Sequence, residues 1–227
     1  MCAADLDPVL LTRADAELPL RRCFSIREKA ADAETVRAEA RYFLGQALAR
    51  LGSYGEALNL NVVGLELIER AAKRNEARVA YNLHAIGVIL VALGRTDEAI
   101  PYLERALSIR RNLRAEELQA NLQRLAETQF ALAQALWGPG RGGTRRKGTE
   151  QAHARATELA QAAQANYTRW GNKPENQLEA VSKWLAAPKN KPPVLAALGF
   201  GEGLPPSSLA VKTKGGKPDP AASSPLR

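Results

Sequence analysis

Residues 44–57 read LGQALARLGSYGEA, and residues 86–99 read IGVILVALGRTDEA. Two glycines, a glutamate and an alanine recur between these stretches at a constant spacing of 42 residues. A looser copy, FALAQALWG, covers residues 130–138, and LRRCFSIR at 20–27 matches LERALSIR at 103–110. A fixed period of this length indicates a repeat protein.

Each copy predicts two antiparallel helices joined at a glycine. The first helix ends near Gly52 or Gly94, where glycine tolerates positive φ. Amphipathic runs over residues 54–70, 97–111 and 150–167 then predict the second helices. Ser53 with Glu56 has the spacing of a capping box, and Thr96 can cap the second helix of the next copy. The sequence therefore predicts an all-α chain of helical hairpins.

Small residues recur at corresponding positions of these helices, where they let helix axes approach to about 8–10 Å. They are Gly45, Ala57 and Gly64 in the first copy, Gly87, Ala99 and Ala106 in the second, and Ala131, Ala156 and Ala163 in the third. Cys23 occupies the same position in the partial copy and is predicted to be a buried small residue.

These residues and their spacing resemble the tetratricopeptide repeat family, in a variant with about 42 residues per unit. The resemblance covers about residues 14–187 and implies a short right-handed α-solenoid with a capping helix at its C-terminal end. Residues 130–137, and the closing helices, are similar to arrays appended to bacterial serine/threonine protein kinases. The chain has no kinase catalytic loop, Asp-Phe-Gly motif or strand-borne lysine motif, so kinase activity is not expected.

The predicted organisation has three parts. Residues 1–13 form an N-terminal stub, 14–187 the array and 188–227 a disordered tail rich in Pro, Gly and Lys. Within the array, a partial repeat at 14–31 precedes repeats at about 36–73, 78–112 and 122–170, and a capping helix covers 174–187. Because a solenoid needs its end face covered, the helix at 15–31 is expected either to self-associate or pack on another chain, or to mark a fragment of a longer array.

Charge is concentrated outside the predicted helices. The net charge of +8 divides into +4 in residues 138–148, +4 in the tail and none over the rest. Arg141, Arg145, Arg146 and Lys147 are therefore candidate polyanion contacts, although nucleic acid is not expected without a binding motif or interleaved aromatics. No apolar run is long enough to span a membrane, no signal peptide is evident, and two cysteines favour the cytoplasm.

No pattern of catalytic residues is found. GPGRGG at 138–143 matches G-x-G-x-x-G but follows a predicted helix, whereas dinucleotide sites need a preceding strand. No acidic or cysteine residue at helical spacing would make a metal site with His84 or His153, and no nucleophile motif occurs. The sequence therefore predicts a protein that is not an enzyme and needs no cofactor or metal.

The family resemblance implies a binding groove lined by the first helix of each unit. The corresponding residues are Glu39, Tyr42, Gln46, Ala49 and Arg50, then Tyr81, His84, Val88 and Val91, then Leu125, Thr128 and Leu132. The lysine and asparagine arrangement that clamps a peptide carboxylate in some members is not reproduced. We expect a protein scaffold or adaptor whose groove binds a partner segment with apolar anchors, with Tyr42 and Tyr81 as contacts. The alternatives are a detached regulatory region of a signalling protein such as a bacterial serine/threonine kinase, and a weak polyanion binder.

Overall fold

The structure is a computed structural model that describes residues 18, 21, 22, 24–26, 28, 29, 34–71, 75–112, 115–138, 149–171 and 175–187. Its helices are α1 (Glu34–Arg50), α2 (Tyr54–Arg70), α3 (Glu76–Ala92), α4 (Thr96–Arg111), α5 (Ala115–Trp137), α6 (Thr149–Trp170) and α7 (Glu175–Ala186). No strand occurs in these ranges. The predicted all-α fold is confirmed.

The helices pack in sequence order. α1 pairs with α2, α3 with α4 and α5 with α6, and each hairpin also packs on the next. The first helices contact one another as well, α1 with α3 and α3 with α5. This arrangement confirms a solenoid of helical hairpins, in which α1, α3 and α5 lie side by side.

The first two hairpin turns have the same geometry. Gly52 has a φ of 80° and Gly94 a φ of 74°, as the sequence predicts. The next amide after each glycine closes the turn, because Ser53 N–H donates to the Leu48 carbonyl at 2.8 Å and Arg95 N–H to the Leu90 carbonyl at 2.8 Å. These are the six-to-one hydrogen bonds of a Schellman motif.

Gly138, after α5, has a different role. It is not among the positive-φ glycines of the described residues, and its N–H donates to the Gln134 carbonyl at 3.0 Å, continuing the helical pattern. A Cβ at this position would lie 2.9 Å from Thr96 Cγ2. The start of α4 therefore leaves no room for a side chain at position 138, and this glycine does not form the positive-φ turn seen at Gly52 and Gly94.

Both capping predictions are wrong. Ser53 occupies the N-cap position of α2, but its side chain makes no capping hydrogen bond. Glu56 instead accepts hydrogen bonds from the Arg21 guanidinium at 2.6 and 2.7 Å. Thr96 is the first residue of α4, where Arg95 holds the N-cap position, and Thr96 is buried. The Glu56 side chain is thus paired with the N-terminal segment, and Thr96 packs inside the fold.

The small residues are buried as predicted. Ala57, Ala99 and Ala106 have no exposed surface. A Cβ at Gly87 would overlap the side chain of Leu103 on α4, and a Cβ at Gly45 would overlap the amide of Asn61 on α2. The glycines therefore accommodate specific side chains of the paired helix.

The described part of the N-terminal segment is helical and packs on the first hairpin. Glu28 pairs with Arg41 at 2.5 Å, and Phe24 packs against the core with the Arg41 guanidinium 5.8 Å from its ring centroid. Leu18 and Ile26 are 62% and 67% exposed. The predicted covering of this helix by another chain stays a prediction, and Cys23 lies outside the described residues.

At the other end, α7 buries the apolar face that the sequence predicts. Val181 and Trp184 are buried, and Leu178 and Leu185 are partly buried against the same core. The Trp184 ring lies 6.0 Å from Phe130 and 5.1 Å from Trp137, edge to face with both. α7 therefore covers the end of α5 with aromatic contacts.

Candidate functional site

The first helices enclose a cleft of about 410 Å³, here called the tyrosine cleft. Its lining comes from α1, α2, α3 and α5, together with the residue before α3. The lining residues are Glu39, Tyr42, Phe43, Ile68, Asn75, Ala77, Arg78, Tyr81, Asn82 and Arg124. The cleft therefore depends on three successive hairpins.

Aromatic rings form one wall of the tyrosine cleft. The Tyr42 and Tyr81 ring centroids are 6.1 Å apart, and the Phe43 ring lies 5.4 Å from Tyr42 with its edge toward it. Phe43 is 57% exposed. Burial raises the pKa of the Tyr42 hydroxyl, so this phenol is neutral and can donate and accept hydrogen bonds.

Two ion pairs border the same cleft. Arg78 pairs with Glu39 across α3 and α1 at 2.7 Å, and Arg124 pairs with Glu127 within α5 at 3.1 Å. Asn75 caps α3, because its side-chain oxygen accepts the Arg78 N–H at 3.1 Å. The cap fixes the first turn of α3 and hence the backbone from which Arg78 extends.

A third arginine lies beneath the cleft. Arg110 is 2% exposed, and its Nη1 donates to Thr128 Oγ1 at 2.6 Å and to the carbonyl of Arg124. Burial lowers the pKa of Arg110 to about 10, with Glu127 opposing the change and Arg124 adding to it. The group is therefore charged at neutral pH despite its burial.

Two guanidinium groups lie near the Tyr81 ring. The Arg110 carbon Cζ is 5.5 Å from its ring centroid, and that of Arg124 is 5.7 Å away. Cation–π contacts at this range are favourable, more so when they are desolvated. The ring thus links the buried arginine to the arginine that lines the cleft.

His84 is held in its neutral form. Its Nδ1 lies 3.2 Å from Thr128 Oγ1. Burial lowers the pKa of His84 well below the usual value, and the positive charges of Arg110 and Arg124 lower it further. His84 consequently adds no positive charge near neutral pH.

The predicted groove residues divide into three groups. Glu39, Tyr42 and Tyr81 line the tyrosine cleft; Gln46 and His84 are half-buried, and Arg50 is exposed. The aliphatic and hydroxyl members instead lie in the core with 8% or less of their surface exposed: Ala49, Val88, Val91, Leu125, Thr128 and Leu132. Three of the predicted groove positions therefore line the cleft, at Glu39 and Tyr42 of α1 and Tyr81 of α3, and the others do not.

Sequence reasoning missed Arg78, Arg110 and Arg124. One signal for Arg110 is present, because it continues the stripe of Leu103 and Ala106 at intervals of three and four residues. Leu103, Ala106 and Arg110 are all buried on the inner face of α4. An arginine on an apolar stripe indicates a buried polar contact.

The predicted polyanion contacts stay a prediction. Arg141, Arg145, Arg146 and Lys147 lie outside the described residues. His153 stacks on Trp137 with ring centroids 4.0 Å apart. Within the described ranges, no three His, Cys, Asp or Glu side chains are grouped as metal ligands, and none of the helices there has the length and apolar character needed to cross a bilayer.

Comparison with known proteins gives one family. The family model described as tetratricopeptide repeat matches residues 36–112. The match spans nearly all of α1 and ends with the turn after α4, so it includes the hairpin turns at Gly52 and Gly94 and most of the tyrosine cleft. No curated protein matches the chain.

Proposed function

Because residues 36–112 belong to the tetratricopeptide repeat family, we propose that the chain is a non-catalytic interaction module. Its partner is a protein segment that binds in the tyrosine cleft. Tetratricopeptide repeats generally mediate protein–protein interactions, and all-helical folds of this family are typically non-catalytic. Stacked hairpins create an extended concave surface suited to this use.

The observation that carries this function is the aromatic wall of the cleft. Tyr42 and Tyr81 combine large rings with polar hydroxyls, and such residues contribute strongly at protein interfaces. Phe43 beside them is exposed over more than half of its surface. A volume of about 410 Å³ accommodates an anchoring side chain of a bound segment.

The double variant Tyr42→Ala with Tyr81→Ala tests this function. Full-length protein is immobilised and exposed to a random nonapeptide library, and the recovered peptides are sequenced and resynthesised. We expect the double variant to bind these peptides more weakly by at least about 2 kcal/mol, since aromatic anchors are typical hot spots.

Tyr102→Ala is the matched control, because Tyr102 is a half-buried tyrosine on α4 that does not line the cleft. It should bind the peptides as the wild type does. If the double variant, folded by circular dichroism, recovers the same peptides with undiminished affinity, the tyrosine cleft is not the binding site.

A further inference from the structure

The cluster around Tyr81 has an excess of positive charge. Arg110 and Arg124 both lie against its ring, and Glu127 is the carboxylate that acts on both arginines among the described residues. Arg78, the other arginine of the cleft, is paired with Glu39. His84 is neutral, so two cations face one anion.

The excess charge is partly buried. Arg110 Nη2 is shielded from solvent and has no hydrogen-bond partner among the described residues. A buried guanidinium is costly unless an opposite charge lies near it. Glu127 is the one carboxylate near both arginines in the described ranges, and its side chain accepts hydrogen bonds there from Arg124 and Gln123. The cluster therefore favours a second anion.

Arg124 is the group that such an anion can reach. It lines the tyrosine cleft, and its side chain is 42% exposed, whereas that of Glu127 is 7% exposed. The cation–π contact with Tyr81 favours this position of the guanidinium. A planar guanidinium has five N–H donors in a fork that matches a carboxylate.

We propose that the tyrosine cleft selects partner segments carrying an aspartate or glutamate, whose carboxylate pairs with Arg124. Arg110 is a positioning residue that acts through the Tyr81 ring. This inference rests on the proposed function and specifies its partner as an acidic peptide segment. The apolar part of the segment packs on Tyr42 and Phe43, next to the charged contact.

Two peptide libraries test the selection. Both are random nonapeptides, one with glutamate fixed at the central position and the other with glutamine. Full-length protein should recover the glutamate library about tenfold better, because charge-assisted hydrogen bonds are stronger than neutral ones. Arg124→Gln should abolish this preference, and Arg124→Lys should keep part of it because the charge remains while the fork is lost.

Glu127→Gln gives a test in the opposite direction. It removes the internal carboxylate that competes for Arg124, so the preference for glutamate should rise several-fold. A purely structural role of the Arg124–Glu127 pair does not produce a rise. Arg155→Gln is the control, since Arg155 pairs with Glu104 on the exposed surface, and it should leave the preference unchanged.

Equal recovery of the two libraries by the wild type would overturn the acidic selection but leave the proposed interaction function intact. Recovery of no peptide from either library would overturn both. The selection is also overturned if it survives in Arg124→Gln and disappears when Arg141, Arg145, Arg146 and Lys147 are changed to glutamine. A Glu127→Gln variant without an increase contradicts it even if Arg124→Gln fails to fold.

Discussion

Gly87 shows how closely one residue fits between two helices. A Cβ at this position would overlap Leu103, which is fully buried on α4. Leu103 cannot rotate into solvent, and well-packed interiors do not accept extra volume without strain. The absence of a side chain at Gly87 therefore allows the close packing of α3 and α4.

We expect Gly87→Ala to lower the free energy of unfolding by about 1–3 kcal/mol, because overpacking outweighs the gain in helix propensity. Urea denaturation measures the change. Gly55→Ala is the control, since a Cβ there meets nothing within 4 Å. A Gly87→Ala protein as stable as the wild type would contradict the close packing.

His84 gives a prediction for pH. Burial and two arginines lower its pKa in the folded protein, whereas the unfolded chain has the ordinary value of about 6.5. Below that value the unfolded chain binds the extra proton first, so stability is lost as pH falls. The slope from this residue is at most about 1.4 kcal/mol per pH unit.

Urea denaturation of the wild type and His84→Asn between about pH 5 and pH 7.5 measures this contribution. The stability of the variant should depend less on pH over this range. Two proteins whose free energies of unfolding fall in parallel would show that His84 does not titrate differently in the two states.

The hairpin turn is the smallest element that the sequence specifies locally. Gly52 and Gly94 adopt positive φ, and the same backbone hydrogen bond closes each turn. Non-glycine residues pay roughly 1–2 kcal/mol for this conformation. The turn therefore depends on the backbone freedom of one glycine.

Gly52→Ala should accordingly destabilise the protein by about 1 kcal/mol or more. Gly55→Ala, three residues later in α2, should stabilise it by up to about 1 kcal/mol. A Cβ at either position meets no neighbour within 4 Å. Comparing the two variants therefore measures the effect of backbone conformation without an effect of packing. Thermal unfolding of both variants should give melting temperatures that move in opposite directions, and a shift of the same sign would contradict the assignment.

Local signals explain what the sequence could predict about the elements. The glycine turns and the buried alanines follow from backbone conformation and helical spacing, which lie within a few residues of each other. The absence of the expected caps at Ser53 and Thr96 could not be predicted, because Arg21 pairs with the Glu56 carboxylate and Gly138 packs on Thr96. Those partners lie more than 30 residues away in the chain.

The tyrosine cleft could be predicted only in part for the same reason. Tyr42 and Tyr81 belong to corresponding first helices, so the repeat alone brings them together. Arg110 and Arg124 belong to different helices, and they meet at Tyr81 because α5 packs beside α3. The family match ends at residue 112, before α5 begins, and gives no information on Arg124.

At the scale of the whole molecule, stability is transmitted between neighbouring helices. Trp184→Ala should cost about 3–5 kcal/mol, because it removes a buried ring from Phe130 and Trp137. Hydrogen exchange should accelerate first in α6 and α7, while α1–α3 keep their protection, as expected for repeat arrays. Lys183→Ala, an exposed neighbour on α7, is the control. Uniform acceleration along the chain would contradict transmission between neighbours.

The order of helix contacts also has a mechanical consequence. Apart from the contacts of α1 with α3 and of α3 with α5, each helix packs mainly against the helices that precede and follow it in the chain. A force applied at the two ends is therefore transmitted through these interfaces one after another. Small tilts at every interface add up, so we expect the array to change its length and curvature while each hairpin keeps its own shape.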